Sequence, residues 1–340
     1  MTMQAAVYLG KESIKVQEWP TPELAAGEVL VRVRYAGICG TDMLTFSGKH
    51  PRVTPPRILG HEVFGSVAEA KPPADAIWKS GTRVAIYPLI SCGKCVPCRE
   101  GNTHVCEELG VLGVDADGGF AEYVKVVSDQ LVAVPDAVSD EQAALIEPLS
   151  VAVHVVRTSG FRTGDTGLVI GGGPIGNLIA QVLRGAGARA VIVSEVNPFR
   201  SALAKRLGCS TVNPAEENLQ EALRWFTAEP FVDHVFEATG VPAAYRDAVL
   251  ACKVRGVITF VGLPETPPEV DVLSLVFKEI QTTGSRVYAR RDYRGAIALL
   301  ERRAVDVIPL ITDQVTLRDA DQGFRKMLEA DTSLKILLRP

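Results

Sequence analysis

Residues 169–180 of this 340-residue chain read VIGGGPIGNLIA. Three glycines, Gly171, Gly173 and Gly176, follow the spacing G-x-G-x-x-G between an apolar stretch typical of a buried strand and a stretch of helical periodicity. The first glycine permits a tight turn, the second lets the backbone approach a phosphate, and the third lets the helix pack closely on the strand. The segment therefore predicts a strand–turn–helix unit that binds a dinucleotide.

The residues after these glycines extend the cofactor motif. Pro174 and Ile175 open the predicted helix, whose N-terminal N–H groups attract an anion. Glu195 ends the next predicted strand, where a carboxylate accepts hydrogen bonds from the adenosine ribose and repels a 2′-phosphate. The first basic residue after it is Arg200, which we include among the cofactor-binding residues. The motif favours NAD over NADP; the alternative is a glycine-rich turn beside an unrelated surface glutamate.

The pattern around the motif predicts two domains of different architecture. Strands and helices alternate through residues 149–286, which predicts an α/β domain with a doubly wound parallel sheet of the Rossmann type that binds NAD. Residues 1–148 contain short alternating strands bounded by turn formers, without regular strand–helix alternation, and predict a β-rich domain. Residues 287–340 combine a helical pattern with a closing strand, which could either cap the second domain or return to the first.

Composition narrows the class of protein and its partners. The chain has 47% hydrophobic and 22% charged residues, with a net charge of −4. This balance gives no reason to expect nucleic acid or an anionic membrane as partner, and a small-molecule substrate fits it better. The N-terminus lacks the apolar core of a signal peptide, and no apolar run reaches the roughly 18 residues of a membrane span. We therefore expect a cytoplasmic protein.

A cluster of cysteines predicts a closed metal site. Cys92, Cys95, Cys98 and Cys106 follow the spacing C-x2-C-x2-C-x7-C. In a reducing compartment such cysteines favour metal binding over disulfides, and four thiolates complete a tetrahedral zinc shell without a position for substrate. An iron–sulfur cluster and an unmetallated or oxidised set are the alternatives, although the run lacks the C-x3-C-P ending of bacterial ferredoxins. We interpret the cluster as a structural zinc site.

A second, dispersed set of residues resembles a known family. The motifs GICGTD, GHE, the four-cysteine segment, DGGFAEY, EPLSV and GGGPIG occur here in the order found in the zinc-dependent medium-chain alcohol dehydrogenases. The similarity extends over essentially the whole chain and is greatest to the sorbitol, threonine and sugar-acid dehydrogenase branch. It implies that the β-rich residues 1–148 form a GroES-like catalytic domain, which residues 287–340 complete, and that each subunit of a homo-dimer or homo-tetramer binds one catalytic and one structural zinc ion.

The resemblance also assigns the catalytic zinc ligands. Cys39 and His61 match two zinc ligands of the family, and Glu62 matches the adjacent glutamate, which is a ligand or near-ligand that exchanges with water or substrate. Glu147 matches the position of a third ligand, which is a glutamate in the polyol branch. Taken singly, each residue has an ordinary structural interpretation; together they imply a zinc site with an open position for substrate.

Two further positions of the resemblance concern proton transfer. Asp42 matches the carboxylate that hydrogen-bonds the zinc-binding histidine, and Thr41 matches the hydroxyl that first takes the substrate proton. Many relatives carry a histidine three residues after that hydroxyl, where this chain has Leu44. His50 lies nearby in sequence, as either a relay group or a plain loop residue.

The implied activity is oxidation of a secondary hydroxyl of a polyol or sugar acid, such as a hexonate, to a ketone, with hydride transfer to NAD. Related sugar-acid enzymes carry a similar GSR segment, so Arg286 is a candidate to pair with a substrate carboxylate; ordering the zinc-shell glutamates or the domain junction is the alternative. L-Threonine 3-dehydrogenase is a second possible activity. A NAD-binding regulatory protein with a vestigial site is a third, and the complete set of motif residues argues against it.

Overall fold

The computed structural model describes residues 1–329 and 332–340, which form two compact units. The first unit contains Met1–Glu147, Ala289–Ile297 and Val307–Pro340, and the second contains Pro148–Tyr288 and Ala298–Asp306. The segment from residue 287 onward is therefore divided between the units, since most of it belongs to the first and a short part to the second.

The amino-terminal part of the first unit is dominated by short strands. These are β1 (Thr2–Gly10), β2 (Ser13–Pro20), β3 (Glu28–Gly37), β4 (Arg57–Ile58), β5 (Glu62–Ala70), β6 (Arg83–Ile86), β7 (Leu89–Ile90), β8 (Gly110–Val111), β9 (Tyr123–Val127) and β10 (Leu131–Ala133). The helices of this part are α1 (Gly40–Phe46), α2 (Val96–Arg99) and α3 (Asp140–Ala144). Helix α4 (Ile146–Thr158) contains the boundary between the units.

The second unit alternates strands and helices. In chain order these are β11 (Thr166–Ile170), α5 (Pro174–Gly185), β12 (Ala190–Ser194), α6 (Pro198–Arg206), β13 (Ser210–Val212), α7 (Leu219–Thr227), β14 (Val232–Glu237), α8 (Pro242–Ala251), β15 (Cys252–Phe260), α9 (Val272–Phe277) and β16 (Gln281–Gly284). The chain ends with α10 (Arg290–Glu301), β17 (Ile311–Thr316), α11 (Ala320–Leu328) and β18 (Lys335–Arg339).

Strand β3 lies at the centre of the first unit. Its main sheet has the order β10-β6-β5-β3-β18-β17, and β9 pairs with β3 as well. A smaller sheet, β2-β1-β4, completes the β structure around a buried core in which the rings of Phe46 and Phe120 lie 5.1 and 5.8 Å from that of Phe324. The carboxyl-terminal end of the chain thus packs into the same core as its beginning.

The sheet of the second unit has the order β13-β12-β11-β14-β15-β16, and all its pairs are parallel. Strand β11 is fully buried, as the near-continuous apolar run of a parallel sheet requires. This architecture confirms the predicted combination of a Rossmann-type sheet with a β-rich domain. Among the helices of the described residues, none combines the length and hydrophobicity needed to cross a bilayer.

Candidate metal and cofactor sites

The register of two strands brings the dispersed zinc-ligand candidates together. Strand β3 ends at Gly37, which pairs with Glu62 at the start of β5. Cys39 follows β3 as the N-cap of α1, and His61 immediately precedes β5. Ligand atoms of Cys39, His61 and Glu62 lie within 4.8 Å of one another. They are a sulfur, a nitrogen and an oxygen, and zinc accepts all three kinds of donor.

Asp42 joins the two loops that carry these residues. It is 1% exposed, and its carboxylate accepts hydrogen bonds from the N–H of Cys39 at 2.9 Å and of Gly60 at 3.2 Å. One of its oxygens lies 3.8 Å from Nδ1 of His61, a buried atom with no hydrogen-bond partner within the part of the chain that the structure describes. A small approach of the two groups would let Asp42 fix the histidine tautomer, leaving Nε2 for a metal.

The charges around His61 favour a cation. Burial on its own would lower the pKa of His61, but Cys39, Asp42 and Glu147 outweigh it and raise the pKa well above its usual value. Surroundings that stabilise a proton on the imidazole also stabilise a divalent cation in its place. Glu147 is 8% exposed and lies in the first turn of α4. It acts on His61 through its charge, although its oxygens fall outside the 4.8 Å set.

Sequence reasoning missed Lys335, the first residue of β18. Its Nζ donates to Oε1 and Oε2 of Glu62 at 2.6 and 2.7 Å and to the carbonyl of Ile38 at 3.0 Å. Burial alone would lower the pKa of Lys335, but Glu62, Cys39 and Glu147 raise it, so the ammonium is charged. The available signal was the lysine in front of the apolar run ILL of the strand KILLR, because a lysine buried with such a run requires an anionic partner.

The residues considered for the proton relay lie in different surroundings. Thr41 is half-buried, and its Oγ1 lies 4.0 Å from the sulfur of Cys39. Leu44 is 41% exposed and has no group that transfers a proton. His50 is half-buried, and burial together with the nearby Arg52 lowers its pKa. Thr41 therefore lies beside the candidate metal ligands.

The four-cysteine segment forms a compact sulfur cluster. The ligand atoms of Cys92, Cys95, Cys98 and Cys106 lie within 4.8 Å of one another, and the sulfurs of Cys95 and Cys106 are 3.8 Å apart. A zinc tetrahedron with Zn–S bonds of about 2.3 Å has edges of about 3.8 Å. The N–H groups of Cys92 and Glu108 donate to the sulfur of Cys106, both at 3.3 Å. The geometry fits a closed tetrahedral zinc site.

The glycine motif forms a turn with open space at its tip. Gly171 has φ +102°, a value that strongly favours glycine, and a Cβ on Gly176 would collide with the carbonyl of Gly171. A Cβ on Gly173 would meet nothing within 4 Å. Gly173 is the N-cap of α5, and Pro174 occupies its first turn, so the helix N-terminus lies beside this open space. The cradle fits a pyrophosphate.

Glu195 lies beside that cradle, at the end of β12. Its Oε2 accepts from the N–H of Gly172 at 2.6 Å, and its Oε1 accepts from the N–H of Asn197 at 2.8 Å. These two bonds fix the carboxylate at a cavity of about 390 Å³, which Arg200 and Asp247 also line. The cavity lies at the carboxyl ends of the parallel strands, the edge where open α/β sheets bind ligands.

Arg286 belongs to the second unit. It follows β16 and is exposed. The candidate zinc ligands, including Glu147, all belong to the first unit. The role of Arg286 thus remains a prediction.

Comparison with known proteins places both units in one family. An alcohol dehydrogenase GroES-like domain model matches residues 25–136, and a zinc-binding dehydrogenase model matches residues 174–302. The chain is 37% identical to 2-dehydro-3-deoxy-L-galactonate 5-dehydrogenase of Pseudoalteromonas atlantica over 99% of this chain and 98% of that protein. It is 33% identical to sorbitol dehydrogenase of Bacillus subtilis (99% and 97% covered) and 35% identical to L-threonine 3-dehydrogenase of Bacillus velezensis (95% and 94% covered).

Among solved structures, an alcohol dehydrogenase from Escherichia coli CFT073 in complex with NADH superposes with a TM-score of 0.93 and 32% identity, covering 100% of this chain and 99% of that one. The fold and the family models define an oxidoreductase with a GroES-like and a Rossmann-like domain. The chain belongs to the zinc-dependent medium-chain alcohol dehydrogenase family.

Proposed function

We propose that this enzyme oxidises a secondary hydroxyl of a polyol or sugar acid, such as a hexonate, to a ketone, with NAD as hydride acceptor. The observation that carries the proposal is the cluster of Cys39, His61 and Glu62, which unites the donor types of a catalytic zinc site in a chain that also contains a dinucleotide cradle. The relatives named for a sugar acid and for sorbitol support this substrate class.

The chemistry divides between bound groups and the chain. When bound, zinc would be held by Cys39, His61 and Glu147, with Glu62 beside them, and would supply a Lewis acid that lowers the pKa of a substrate hydroxyl; NAD would supply the hydride acceptor. Asp42 orients His61, and Thr41 accepts the hydroxyl proton at Oγ1 and passes it outward. Glu195 and the glycine cradle hold the two ends of the adenosine diphosphate portion of the cofactor.

Zinc dependence is tested by metal removal. We expect a strong chelator to abolish NAD reduction and added zinc to restore it. Glu147→Ala should lose activity while NAD still binds, as measured by quenching of protein fluorescence, because Glu147 belongs to the first unit and the cradle to the second. Full activity in metal-free protein would contradict the proposal.

Substrate class is tested by a panel of hexonates, sorbitol and L-threonine, followed by NADH absorbance. We propose that Arg286 pairs with a substrate carboxylate, so Arg286→Ala should raise KM for hexonates about 10-fold or more with little change for sorbitol. Arg291→Ala, another exposed arginine, is the matched control. An unchanged preference for acids over polyols would remove Arg286 from this role.

L-Threonine 3-dehydrogenase activity is the second candidate, since a relative of that name is 35% identical. The same panel separates the two, because a threonine enzyme should turn over L-threonine far better than any hexonate or polyol.

We further propose that the enzyme is a cytoplasmic homo-dimer or homo-tetramer. The seven cysteines, all in the described part of the chain, form no disulfide, which suits a reducing compartment. Strand β16 ends the sheet of the second unit, and the neighbouring α9 exposes Val272, Leu273, Val276 and Phe277. An open sheet edge beside exposed apolar side chains suits pairing with a second copy.

A further inference from the structure

Lys335 and Glu62 form a buried ion pair in which every N–H of the lysine ammonium has an acceptor. Lys335 is 4% and Glu62 1% exposed, and the ammonium has three acceptors for its three N–H groups, two on Glu62 and one on the carbonyl of Ile38. The two residues lie 273 positions apart and meet because β18 and β5 both pair with β3. A buried ammonium with every donor satisfied holds its partner in one place.

Gly37 lies on the other side of the Glu62 carboxylate. It pairs with Glu62 across the β3–β5 ladder, and a Cβ at position 37 would collide with Oε2 of Glu62. The carboxylate therefore fits its present position only beside a glycine. The ammonium of Lys335 on one side and the backbone of Gly37 on the other thus hold the Glu62 carboxylate in one position next to Cys39 and His61.

The net charge of the metal site depends on whether Glu62 binds the zinc ion. A zinc ion bound by the Cys39 thiolate, Glu62 and Glu147 together would carry a net negative charge and would attract a hydroxyl oxygen weakly. With Glu62 kept by Lys335, the remaining anionic ligands only neutralise the ion, and one coordination position stays open for substrate.

We propose that Lys335 is a positioning residue that keeps the Glu62 carboxylate off the zinc ion, so that Glu62 competes with substrate for the metal only when it leaves Lys335. The inference rests on the proposed function, because it requires zinc at Cys39, His61 and Glu147. The simpler interpretation is a buried ion pair that only stabilises the fold.

The test compares Lys335→Met with Lys335→Arg, Glu62→Gln and the Lys335→Met/Glu62→Gln double variant. Metal binding is measured by competition with a chromophoric chelator and by the visible absorption spectrum of cobalt in place of zinc. Lys335→Met releases Glu62, so we expect metal affinity at this site to rise about 10-fold, the cobalt spectrum to change and KM for the alcohol to rise. Lys335→Arg, which keeps the positive charge, should have the metal affinity, cobalt spectrum and KM of the wild type.

The double variant decides the mechanism. In the Glu62→Gln background, Lys335→Met should leave the cobalt spectrum unchanged and should raise metal affinity less than in the wild-type background, because no carboxylate is left to release and only the loss of a positive charge near Cys39 and Glu147 remains. A Lys335→Met protein that is less stable but has wild-type metal affinity and cobalt spectrum would overturn the inference, as would a spectral change, or an affinity gain of the same size, that persists without Glu62. If the wild-type enzyme bound metal only at the four cysteines, the proposed function itself would fail, which the wild-type metal content reveals before any variant is made.

Discussion

At the scale of single residues, the cofactor preference rests on Glu195. Both of its oxygens already accept a backbone N–H, so the carboxylate is fixed before cofactor arrives and loses little freedom when ribose hydroxyls bind. Its negative charge opposes a 2′-phosphate, while Arg200 on the same cavity is the group that would favour one.

We expect Glu195→Ala to raise KM for NAD about 10- to 100-fold, the equivalent of lost hydrogen bonds to a charged group, and to narrow the preference for NAD over NADP. Steady-state kinetics with both cofactors measures the two effects. Glu216→Ala, which removes an exposed glutamate further along the chain, is the control and should behave as wild type. An unchanged ratio of NAD to NADP efficiency would exclude Glu195 as the discriminating group.

At the residue level, the sequence supports a prediction where a motif links residue type to backbone conformation. The glycines could be placed because a turn and a helix start each demand a particular residue, and the structure has Gly171 at positive φ and Gly173 as the N-cap. Lys335 belongs to no local pattern. Its role depends on the lateral order of strands from opposite ends of the chain, which spacing along the sequence does not encode.

At the scale of elements, the four-cysteine segment has little regular structure of its own. Helix α2 has four residues, and β7 and β8 have two each, and the backbone hydrogen bonds within residues 95–106 are local ones, such as that from the N–H of Arg99 to the carbonyl of Cys95. Metal coordination is the interaction that orders such a segment.

We expect Cys98→Ser to lose about one zinc ion per chain and to make residues 92–110 sensitive to proteases, while the NAD cradle stays intact. Metal analysis and limited proteolysis followed by mass spectrometry check both results. Cys209→Ala, a buried cysteine of the second unit, should keep its full zinc content. Retention of all zinc by Cys98→Ser would exclude the four-thiolate site.

A second element-level contact joins the central strands β11 and β14. Asp233 accepts hydrogen bonds from the N–H and hydroxyl of Thr166 at 2.7 and 2.6 Å and pairs with Lys253. Burial alone would raise the pKa of Asp233, but Lys253 and Thr166 lower it to about 2. Because the folded-state pKa is depressed, the stabilisation is present above the unfolded value and is lost as pH falls from about 4 to about 2.

Asp233→Asn should therefore reduce the free energy of unfolding at pH 7 by about 1–2 kcal/mol, allowing for solvent screening. The difference from wild type should shrink as the pH approaches 3. Thermal unfolding over a pH series measures it, with the exposed Asp129→Asn as reference. A difference that stays constant from pH 7 to pH 3 would show that the charge of Asp233 is not its source.

Strands and helices of the second unit were predictable because the spacing of apolar residues and the positions of turn-forming residues indicate the same elements. Each apolar strand segment there is followed by a turn and a helix. The sequence of the first unit predicted β structure but not the pairing order, in which β18 at the end of the chain inserts between β3 and β17. Such non-local pairing is decided by core packing, and the aromatic contacts of Phe324 with Phe46 and Phe120 are the packing that anchors the returning segment.

At the scale of the whole molecule, the open edge of the second unit's sheet bears on assembly. Among the residues that the structure describes, β16 pairs with β15 alone, and the side chains of Val276 and Phe277 in α9 are 67% and 78% exposed. Two copies related by a two-fold axis would pair this edge with itself in antiparallel fashion, which satisfies the backbone groups of both strands and covers both apolar surfaces.

We therefore expect the Val276→Asp/Phe277→Asp double variant to shift the proposed dimer or tetramer toward monomer, because the introduced carboxylates would face their own copies across the axis. Light scattering coupled to size-exclusion chromatography gives the mass at micromolar concentration. Trp225→Asp, which replaces an 85% exposed apolar residue on α7, is the control and should keep the wild-type mass. A monomeric wild type, or an unchanged mass in the double variant, would show that β16 and α9 do not form the interface. Retained NAD binding in the monomer would show that the cradle is complete within one chain.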